Sequence, residues 1–287
     1  MLCRRLWLCK TFCMTQTPTL PITLLVIARD EAEVIGRCLD SVPFAAEKVV
    51  IDSGSTDGTP EIARRHGARV VHQDWLGFGP QRNFANTQAS HDWILVLDAD
   101  EVLTPASVAE LQARLPSLLQ SSHAGAILVR QTWYMGAPMH WYRPMVADKS
   151  SRIYNRKRAR WTDARVHESL IFDGTTLLMR EPFAHFNNPT LVHRHLKILR
   201  YSELKARDWL DTGKRKSMWT CPFVFIATFI KDYFLRLAFL DGWRGYVAAH
   251  VAASYAVYKR LRYYEMQRNP VSREQATLAL KRCGLDP

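Results

Sequence analysis

The sequence predicts an α/β domain built on a mainly parallel sheet, followed by a mostly helical C-terminal region. Across residues 21–187, short apolar segments rich in β-branched residues alternate with segments of helical periodicity. This alternation is typical of parallel sheets, whose ligands bind beyond the carboxyl ends of the strands. It stops at residues 188–287, which are rich in Lys, Arg and aromatic residues. We expect residues 1–20 to be a disordered leader, or the true start to be Met14.

The first elements follow this alternation closely. The run ITLLVIA predicts a strand buried on both faces, and the segment DEAEVIGRCLDSV predicts an amphipathic helix with acidic residues in its first turn. KVVID predicts a second strand and GSTDG a turn. Thr59 is then expected to cap a helix that has Pro60 in its first turn and Gly67 at its end.

The later elements repeat the pattern. RVVHQ predicts a third strand, GPQRNFANTQA a helix and WILVLD a fourth strand. Thr104 is expected to cap the next helix, with Pro105 as its first residue, and GAILVR predicts a further strand. The order of strands and helices therefore places two acidic segments, DSGSTD and DAD, at strand ends on one edge of the sheet.

Composition limits the function classes. The chain has 287 residues, a net charge of +12 and six cysteines. None of the cysteines has the C-x-x-C spacing of a zinc or redox site, so a reducing cytoplasmic compartment is the simpler interpretation. The leader contains basic residues but lacks the apolar core of a signal peptide. The positive charge predicts an anionic partner, such as a nucleic acid, an acidic membrane surface or a phosphorylated substrate.

The two acidic segments predict a site for a metal and a diphosphate. Asp98 and Asp100 are two residues apart at a strand end, so both carboxylates can approach one hard divalent cation, Mg²⁺ or Mn²⁺. Asp52 ends the second strand, where its carboxylate can accept hydrogen bonds from a base or a ribose. The alternatives are ordinary: most D-x-D pairs are caps or solvated turns, and Asp-Ser-Gly commonly forms an Asx turn.

The ordered set of segments resembles the family 2 glycosyltransferases of GT-A fold. The segments that carry the resemblance are IARDEAEVIGRCLDSV, IDSGSTDGT and LDADE, within roughly residues 21–185. The resemblance implies a pocket for the nucleotide and donor, with Asp98 and Asp100 holding the diphosphate and its metal. The other implied pocket residues are Ile27, Ala28, Arg29, Glu31, Asp52 and Arg82. Many members have two adjacent aspartates where this chain has Asp52 and Ser53.

Inverting transfer also needs a base that accepts the proton of the acceptor hydroxyl, and a carboxylate is the usual choice. The segment RVHESLI offers Glu168, and the resemblance implies that the His-Glu pair lies where acceptor and donor meet. Asp163 is the reserve candidate, and His167 is expected to orient or bind. The alternative is a surface strand whose Glu168 pairs with nearby arginines.

Within the family, the chain resembles the bacterial lipopolysaccharide inner-core glucosyltransferases. The further segments that carry this resemblance are RIYNRKRARW, VHESL and FLDGWRGY. The implied donor is UDP-glucose, and the implied acceptor is a core heptose on a lipid A precursor at the cytoplasmic face of the inner membrane. A family 2 enzyme acting on another cell-envelope glycan or glycolipid is the alternative.

The C-terminal region is expected to associate with the membrane. The segment KILRYSELKARDWLDTGKRK precedes the apolar runs CPFVFIATFI and YVAAHVAASYAVY, a pairing typical of attachment to an anionic surface. Each run is shorter than the roughly 18 to 20 residues that cross a bilayer. Rival interpretations are a solvated, salt-bridged helix face, a nucleic-acid-binding protein and a catalytically inactive module that binds sugar nucleotide. No nucleic-acid motif supports the second, so no nucleic-acid partner is expected, and Asp98, Asp100 and Glu168 argue against the third.

Overall fold

The computed structural model describes residues 18–145, 148–162, 169–188, 190–269 and 271–282. The strands are β1 Leu20–Ala28, β2 Ala45–Asp52, β3 Arg69–His72, β4 Trp93–Asp98, β5 Glu101–Val102, β6 Gly125–Tyr134, β7 Ala137–Pro138, β8 Asp148–Asn155, β9 Ala159–Trp161, β10 Leu170–Phe172, β11 Thr176–Leu178 and β12 Phe183–Asn188. The α-helices are α1 Ile35–Asp40, α2 Thr59–Arg65, α3 Phe78–Gln88, α4 Pro105–Leu119, α5 Leu191–Asp211, α6 Cys221–Ile230, α7 Gly242–Arg268 and α8 Ser272–Arg282.

Ten of the strands form one mixed, mostly parallel sheet. Its order is β3-β2-β1-β4-β8-β6-β12-β5, with β7 and β11 also paired to β6, and β9 and β10 form a separate hairpin. The first four strands are parallel, and β8 runs antiparallel between β4 and β6. The predicted α/β class with a mainly parallel sheet is confirmed, although the antiparallel β8 was not predicted from the sequence.

The strand register brings the acidic segments together. Ala28, at the end of β1, pairs with Asp52 of β2, while Ile27 pairs with Asp98 of β4 on the other side. Because these strands are parallel, their carboxyl ends meet at one edge of the sheet. The aspartates that end β2 and β4 therefore flank the loop that follows β1.

The core explains why β1 and β4 read as unbroken apolar runs. The side chains of Leu24, Leu95 and Ile94 are completely buried, and they belong to clusters on both faces of the sheet. A central parallel strand is covered by helices or loops on both sides, so apolar residues occupy both faces.

Two helices differ from their predicted bounds. α1 is shorter than predicted, because residues 30–34 form a loop that bonds to the loop after β2. Thr59 is the first residue of α2 and does not cap it, since its hydroxyl bonds Asp57 and the Glu31 amide, and Gly58 at φ 88° precedes the helix. In contrast, Thr104 caps α4 as predicted, accepting from the Ser107 amide at 3.1 Å.

The C-terminal region is helical, as predicted. Helices α5 and α7 pack against each other through a cluster formed by Ala206, Trp209, Tyr263 and Met266, and α6 packs along α7. A 3₁₀ turn and a π-helical turn extend α6 at its two ends, so the helical stretch Met218–Leu235 is longer than the apolar run in the sequence. Among the described residues, this stretch alone is long and apolar enough to cross a membrane by length and composition.

Candidate functional site

The loop after β1 is held by the loop after β2. The Oδ1 atom of Asp30 accepts from the Thr56 amide at 2.7 Å, and the Asp30 amide donates to Ser55 Oγ at 2.9 Å. The Glu31 amide donates to Thr59 Oγ1 at 2.8 Å. Asp30 has a φ of 55°, in the left-handed region that aspartate tolerates better than most residues. These bonds fix the backbone on which Arg29 and Glu31 are presented at the sheet edge.

Asp52 stabilises its own loop. Its buried carboxylate accepts from the amide of Gly54 at 3.1 Å and from that of Ser55 at 3.2 Å, an Asx arrangement. His72 Nδ1 lies 3.8 Å from it. The predicted contact with a base or ribose therefore competes with bonds that already occupy this side chain, and the neighbouring Ser53 lines the cavity at this position instead.

A cavity of about 560 Å³ lies at the carboxyl edge of β1 and β4. Of the residues predicted for the donor pocket, it is lined by Ile27, Arg29, Glu31, Arg82, Asp98 and Asp100. Ala28 is buried, and its carbonyl accepts from the Ser53 amide at 3.0 Å, so it supports the wall from behind. We call this space the donor cavity.

Five residues of the donor cavity were not predicted from the sequence: Ser53, Trp75, Phe78, Ala99 and Arg200. Trp75 and Phe78 form an edge-to-face pair with ring centroids 4.8 Å apart, and each side chain is nearly half exposed. Exposed aromatic rings at a cavity mouth offer a surface on which a planar base can stack. Trp75 and Phe78 both lie in the segment DWLGFG, whose aromatic residues without helical or strand periodicity were the available signal.

Asp98 is held between two arginines. Its Oδ1 accepts from Arg82 Nη2 at 2.8 Å and its Oδ2 from Arg152 Nη2 at 2.9 Å. Arg152 also bonds the fully buried Glu101, whose Oε2 accepts from the Asp98 amide at 3.1 Å. Burial alone would raise the pKa of Asp98, but the charges of Arg152 and Arg82 hold it well below its usual range.

This arrangement argues against Asp98 as a direct metal ligand. Both of its oxygens already accept charge-assisted hydrogen bonds, so a cation would have to displace a guanidinium group. Asp98 instead fixes Arg82, which also stacks over the Trp161 ring, 4.7 Å from its centroid. Neither Arg152 nor Trp161 was anticipated, because a buried arginine in a strand has no local signature in a sequence.

Asp100 is better placed to hold a cation. Its carboxylate lines the donor cavity, and its Oδ2 atom lies 3.4 Å from Nε2 of His185 on β12. The pairing of β12 with β5 places His185 opposite Glu101, one residue beyond Asp100. One carboxylate and one imidazole fit a divalent cation whose remaining ligands are phosphate oxygens and water. No group of three or more His, Cys, Asp or Glu side chains with metal-binding geometry occurs within the described ranges.

The carboxyl group of Glu31 has a raised pKa. Burial, together with the negative charge of Asp100, raises the pKa of Glu31 from its ordinary 4.5 to about 7. Lys197, on α5, opposes this effect. Glu31 and Asp100 both line the donor cavity and a smaller neighbouring cavity that also contacts Lys197. A positive group entering between the two carboxylates would favour the ionised form of Glu31.

A second cavity of about 370 Å³ adjoins the donor cavity, and Arg82 and Asp98 line both. We call it the polar cavity because charged or hydroxyl side chains form most of its wall. Its other lining residues are Arg130, Lys149, Ser150, Ser151, Arg152, Trp161, Ser169 and Leu170. Arg130 is paired with Asp148 at 2.7 Å, whereas Lys149 is exposed and forms no ion pair among the described residues.

The predicted base and its reserve, Glu168 and Asp163, lie outside the described residues, as does His167. The described chain stops at Thr162 and resumes at Ser169, where the Ser169 amide donates to Thr162 Oγ1 at 3.0 Å. Trp161, Ser169 and Leu170, which flank residues 163–168 in the sequence, line the polar cavity.

Comparison with known proteins gives the family. Residues 23–186, more than half of the chain, match the model of the family described as "Glycosyl transferase family 2". A relative from Rickettsia bellii, "Uncharacterized glycosyltransferase", is 31% identical over 91% of this chain and 93% of its own. "Lipopolysaccharide core biosynthesis glycosyltransferase LpsC" from Rhizobium meliloti is 31% identical over 86% of this chain and 93% of its own.

Solved structures also match. The glucosyl-3-phosphoglycerate synthase from Mycobacterium tuberculosis, in complex with Mn²⁺, UDP and phosphoglyceric acid, matches with a TM-score of 0.40 and 20% identity. That match covers 58% of this chain and 71% of the other. The same enzyme with Mn²⁺, UDP and glucosyl-3-phosphoglycerate matches with a TM-score of 0.36 and 21% identity, over 47% of this chain and 57% of the other. On the family match and the extent of its relatives, the chain belongs to glycosyl transferase family 2.

Proposed function

We propose that this glycosyltransferase moves a hexose, with glucose as the expected sugar, from a UDP-sugar to a lipopolysaccharide core acceptor, with inversion at the anomeric carbon. The assignment of a UDP-sugar donor rests on the donor cavity, which Arg29, Arg82 and Asp100 line at the carboxyl edge of the sheet. The two guanidinium groups can bind the oxygens of a diphosphate, and the neighbouring carboxylate can bind the cation of that diphosphate.

The leaving group determines what these residues do. Transfer breaks the bond between the anomeric carbon and the diphosphate oxygen, so negative charge grows on the diphosphate. Asp100 and His185 would hold a divalent cation, which would supply positive charge to that leaving group. Arg82 is already oriented by Asp98 and Trp161, so little side-chain freedom is lost when it binds a phosphate oxygen.

We place the nucleotide at the aromatic end of the donor cavity. Trp75 and Phe78 offer apolar ring surface for the base, and Ser53 offers a hydroxyl. Ser53 Oγ accepts from Gln81 Nε2 at 3.1 Å, which leaves its own proton free to orient toward a ligand. Asp52 supports this wall through its bonds to the Gly54 and Ser55 amides.

We assign the acceptor to the polar cavity. Its wall carries the hydroxyls of Ser150 and Ser151 and the ammonium group of Lys149, which suit a sugar that bears an anionic substituent. It shares Arg82 and Asp98 with the donor cavity, so an acceptor there is adjacent to the donor sugar.

We propose Glu168 as the base. Ser169, the next residue along the chain, lines the polar cavity, which supports a position for Glu168 beside the acceptor. Ionised Glu168 accepts the proton of the acceptor hydroxyl while that oxygen forms its bond to the anomeric carbon, opposite the leaving diphosphate. Asp163, at the other end of the same segment, remains the reserve candidate.

The lipopolysaccharide assignment is supported by the 31% identity to LpsC over most of both chains. It predicts an acceptor made of core sugar on lipid A, and hence a peripheral enzyme on the cytoplasmic face of the inner membrane.

The test combines genetics with an assay in vitro. Lipopolysaccharide from a strain that lacks this gene should be shorter by the transferred sugar and everything beyond it. The purified enzyme with Mg²⁺ or Mn²⁺ should extend that truncated lipopolysaccharide by one hexose from UDP-glucose, as measured by mass spectrometry. Transfer from a different nucleotide sugar, or wild-type lipopolysaccharide in the deletion strain, would contradict the assignment.

A further inference from the structure

One face of the helical stretch Met218–Leu235 is an exposed apolar stripe. Its members are spaced by four, three, four and four residues, which places them on one side of the helix. They are Trp219, Phe223, Ile226, Ile230 and Phe234, with exposed fractions of 81, 75, 55, 47 and 53%. Only 11% of the stretch is buried. Contiguous apolar surface of this kind on a folded protein marks an interaction site.

The opposite face of the same stretch packs against protein. The rings of Phe225 and His250 are 5.4 Å apart, and those of Phe229 and Tyr246 are 5.7 Å apart. Tyr233 continues this inner row, with its ring 6.1 Å from that of Tyr246. The stretch therefore has one face on α7 and one face exposed, as a helix lying along an interface would.

The exposed apolar surface continues beyond the stripe. Leu235 is 69% exposed and Trp243, at the start of α7, is 58% exposed. Asp241 attaches this part to the loop between β7 and β8, because its carboxylate accepts from the amides of His140, Trp141 and Tyr142 at 2.9, 3.1 and 2.7 Å. The Trp141 side chain is also 53% exposed.

The charges around the stripe are positive. Residues 214–246 contain six cationic side chains, Lys214, Arg215, Lys216, Lys231, Arg236 and Arg244, and two acidic ones, Asp232 and Asp241. Both acids are used internally: Asp232 is buried and paired with Arg236 at 2.8 Å, and Asp241 holds the three loop amides. Lys214, Arg215 and Lys231 are exposed. An apolar stripe flanked by exposed cations complements an anionic lipid surface.

We propose that this lipid-docking surface, formed by the stripe with Leu235, Trp243 and Trp141, inserts into the headgroup region of an anionic bilayer without crossing it. The stripe enters the apolar boundary, and Lys214, Arg215 and Lys231 contact lipid phosphates. This proposal depends only on the exposed apolar surface and the charges around it. It can therefore be correct even if the proposed donor and acceptor are wrong.

The surface is connected to the catalytic domain through packed side chains. Tyr134, Met139 and Tyr142 form one buried cluster with Ala238 and Ala248 of the helical region. Tyr134 ends β6, the strand that contributes Arg130 to the polar cavity. If the acceptor is lipid-linked, a step that rests on the proposed function, docking through this surface presents it to a catalytic domain fixed relative to the bilayer.

The test measures flotation of the full chain with vesicles. Wild type should float with phosphatidylglycerol-containing vesicles and much less with phosphatidylcholine vesicles. The double variant Phe223→Glu/Ile226→Glu should lower the partition coefficient at least about tenfold, because it places two charges in the inserted stripe. The control is Leu178→Glu, which changes a 40% exposed leucine on β11 and should float like wild type.

Two further measurements make the result decisive. The variant Trp219→Phe should fold normally and should show less fluorescence quenching by brominated lipids than wild type, with Trp141 and Trp243 accounting for the quenching that remains. UDP affinity should be unchanged in the double variant, which separates a docking defect from a donor-site defect. Equal flotation of wild type and the double variant would overturn the proposal. So would a wild-type dimer in sedimentation velocity that the double variant loses, since the stripe would then bind a second copy.

Discussion

The guanidinium group of Arg82 joins the two cavities: it donates to Asp98 Oδ1 at 2.8 Å and stacks over Trp161 with 4.7 Å to the ring centroid. Arg82 comes from α3, Asp98 from the end of β4 and Trp161 from β9, so three distant segments position one side chain. Arg152 holds the other oxygen of Asp98 and also bonds Glu101. The first aspartate of the D-x-D segment thus organises the site through arginines.

Removing the charge of Asp98 should destabilise the fold. Asp98→Asn removes a charged partner from two buried arginines, Arg82 and Arg152, of which Arg152 keeps its ion pair with Glu101. Loss of one partner from a buried pair costs about 3 to 5 kcal/mol, and partial exposure of Asp98 reduces this, so we expect the free energy of unfolding to fall by about 2 to 3 kcal/mol. Urea unfolding measures it.

The matched control for that variant is Asp92→Asn. Asp92 pairs with the exposed Lys157 at 2.7 Å, so its loss should cost less than about 1 kcal/mol. Equal stability of Asp98→Asn and wild type would show that the arginines do not depend on this carboxylate.

Glu31 should make stability depend on pH. Its pKa rises from 4.5 to about 7 on folding, so between these values the folded protein binds more protons than the unfolded chain. The contribution of Glu31 to the free energy of unfolding is therefore greatest below about pH 4.5. About 2 to 3 kcal/mol of this contribution is lost as the pH rises to 7.

Chemical denaturation of Glu31→Gln across pH 5 to 8 checks this expectation, because the variant should lose that part of the slope and become more stable than wild type near pH 8. Glu33→Gln, at an exposed side chain on the same loop, should keep the slope. A Glu31→Gln profile parallel to that of wild type would mean that Glu31 ionises normally.

The sequence predicted the central strands because each is buried on both faces and therefore has an unmistakable apolar run. It also predicted that Asp98 and Asp100 lie at the end of a strand, since the apolar run stops where these acids begin. The antiparallel β8 was missed: SSRIYN contains Arg152, whose burial depends on Asp98 and Glu101 and not on its neighbours in sequence.

His185 was missed for a similar reason. His185 approaches Asp100 only because β12 pairs with β5, a contact between residues distant in the chain. The ligand contact of Asp52 stays a prediction, and the structure adds that its carboxylate also holds the turn of its own loop. Local sequence does not tell which polar groups bond to each other.

His185 should tune metal binding. His185→Gln removes an imidazole 3.4 Å from Asp100, so the metal concentration needed for half-maximal transfer should rise about tenfold or more, while the rate at saturating metal falls little. Metal titration of transfer measures both. His123→Gln is the control, because His123 contacts Thr175 and does not line the donor cavity. An unchanged titration in His185→Gln would exclude the imidazole as a ligand.

Glu168 should govern the chemical step. Glu168→Gln keeps the shape but accepts no proton, so kcat should fall by roughly 10² to 10⁴ while UDP affinity stays within a few-fold of wild type. Asp163→Asn serves as the comparison. If Glu168→Gln turns over normally and Asp163→Asn does not, Asp163 is the base.

Asp100 should hold a divalent cation for the diphosphate of a UDP-sugar. Calorimetry of UDP binding with and without Mn²⁺, for wild type and Asp100→Asn, measures this directly. We expect Mn²⁺ to strengthen UDP binding to wild type by at least about tenfold, and the folded Asp100→Asn variant to lose this gain. The same Mn²⁺-dependent gain in the variant as in wild type would show that Asp100 does not hold the cation.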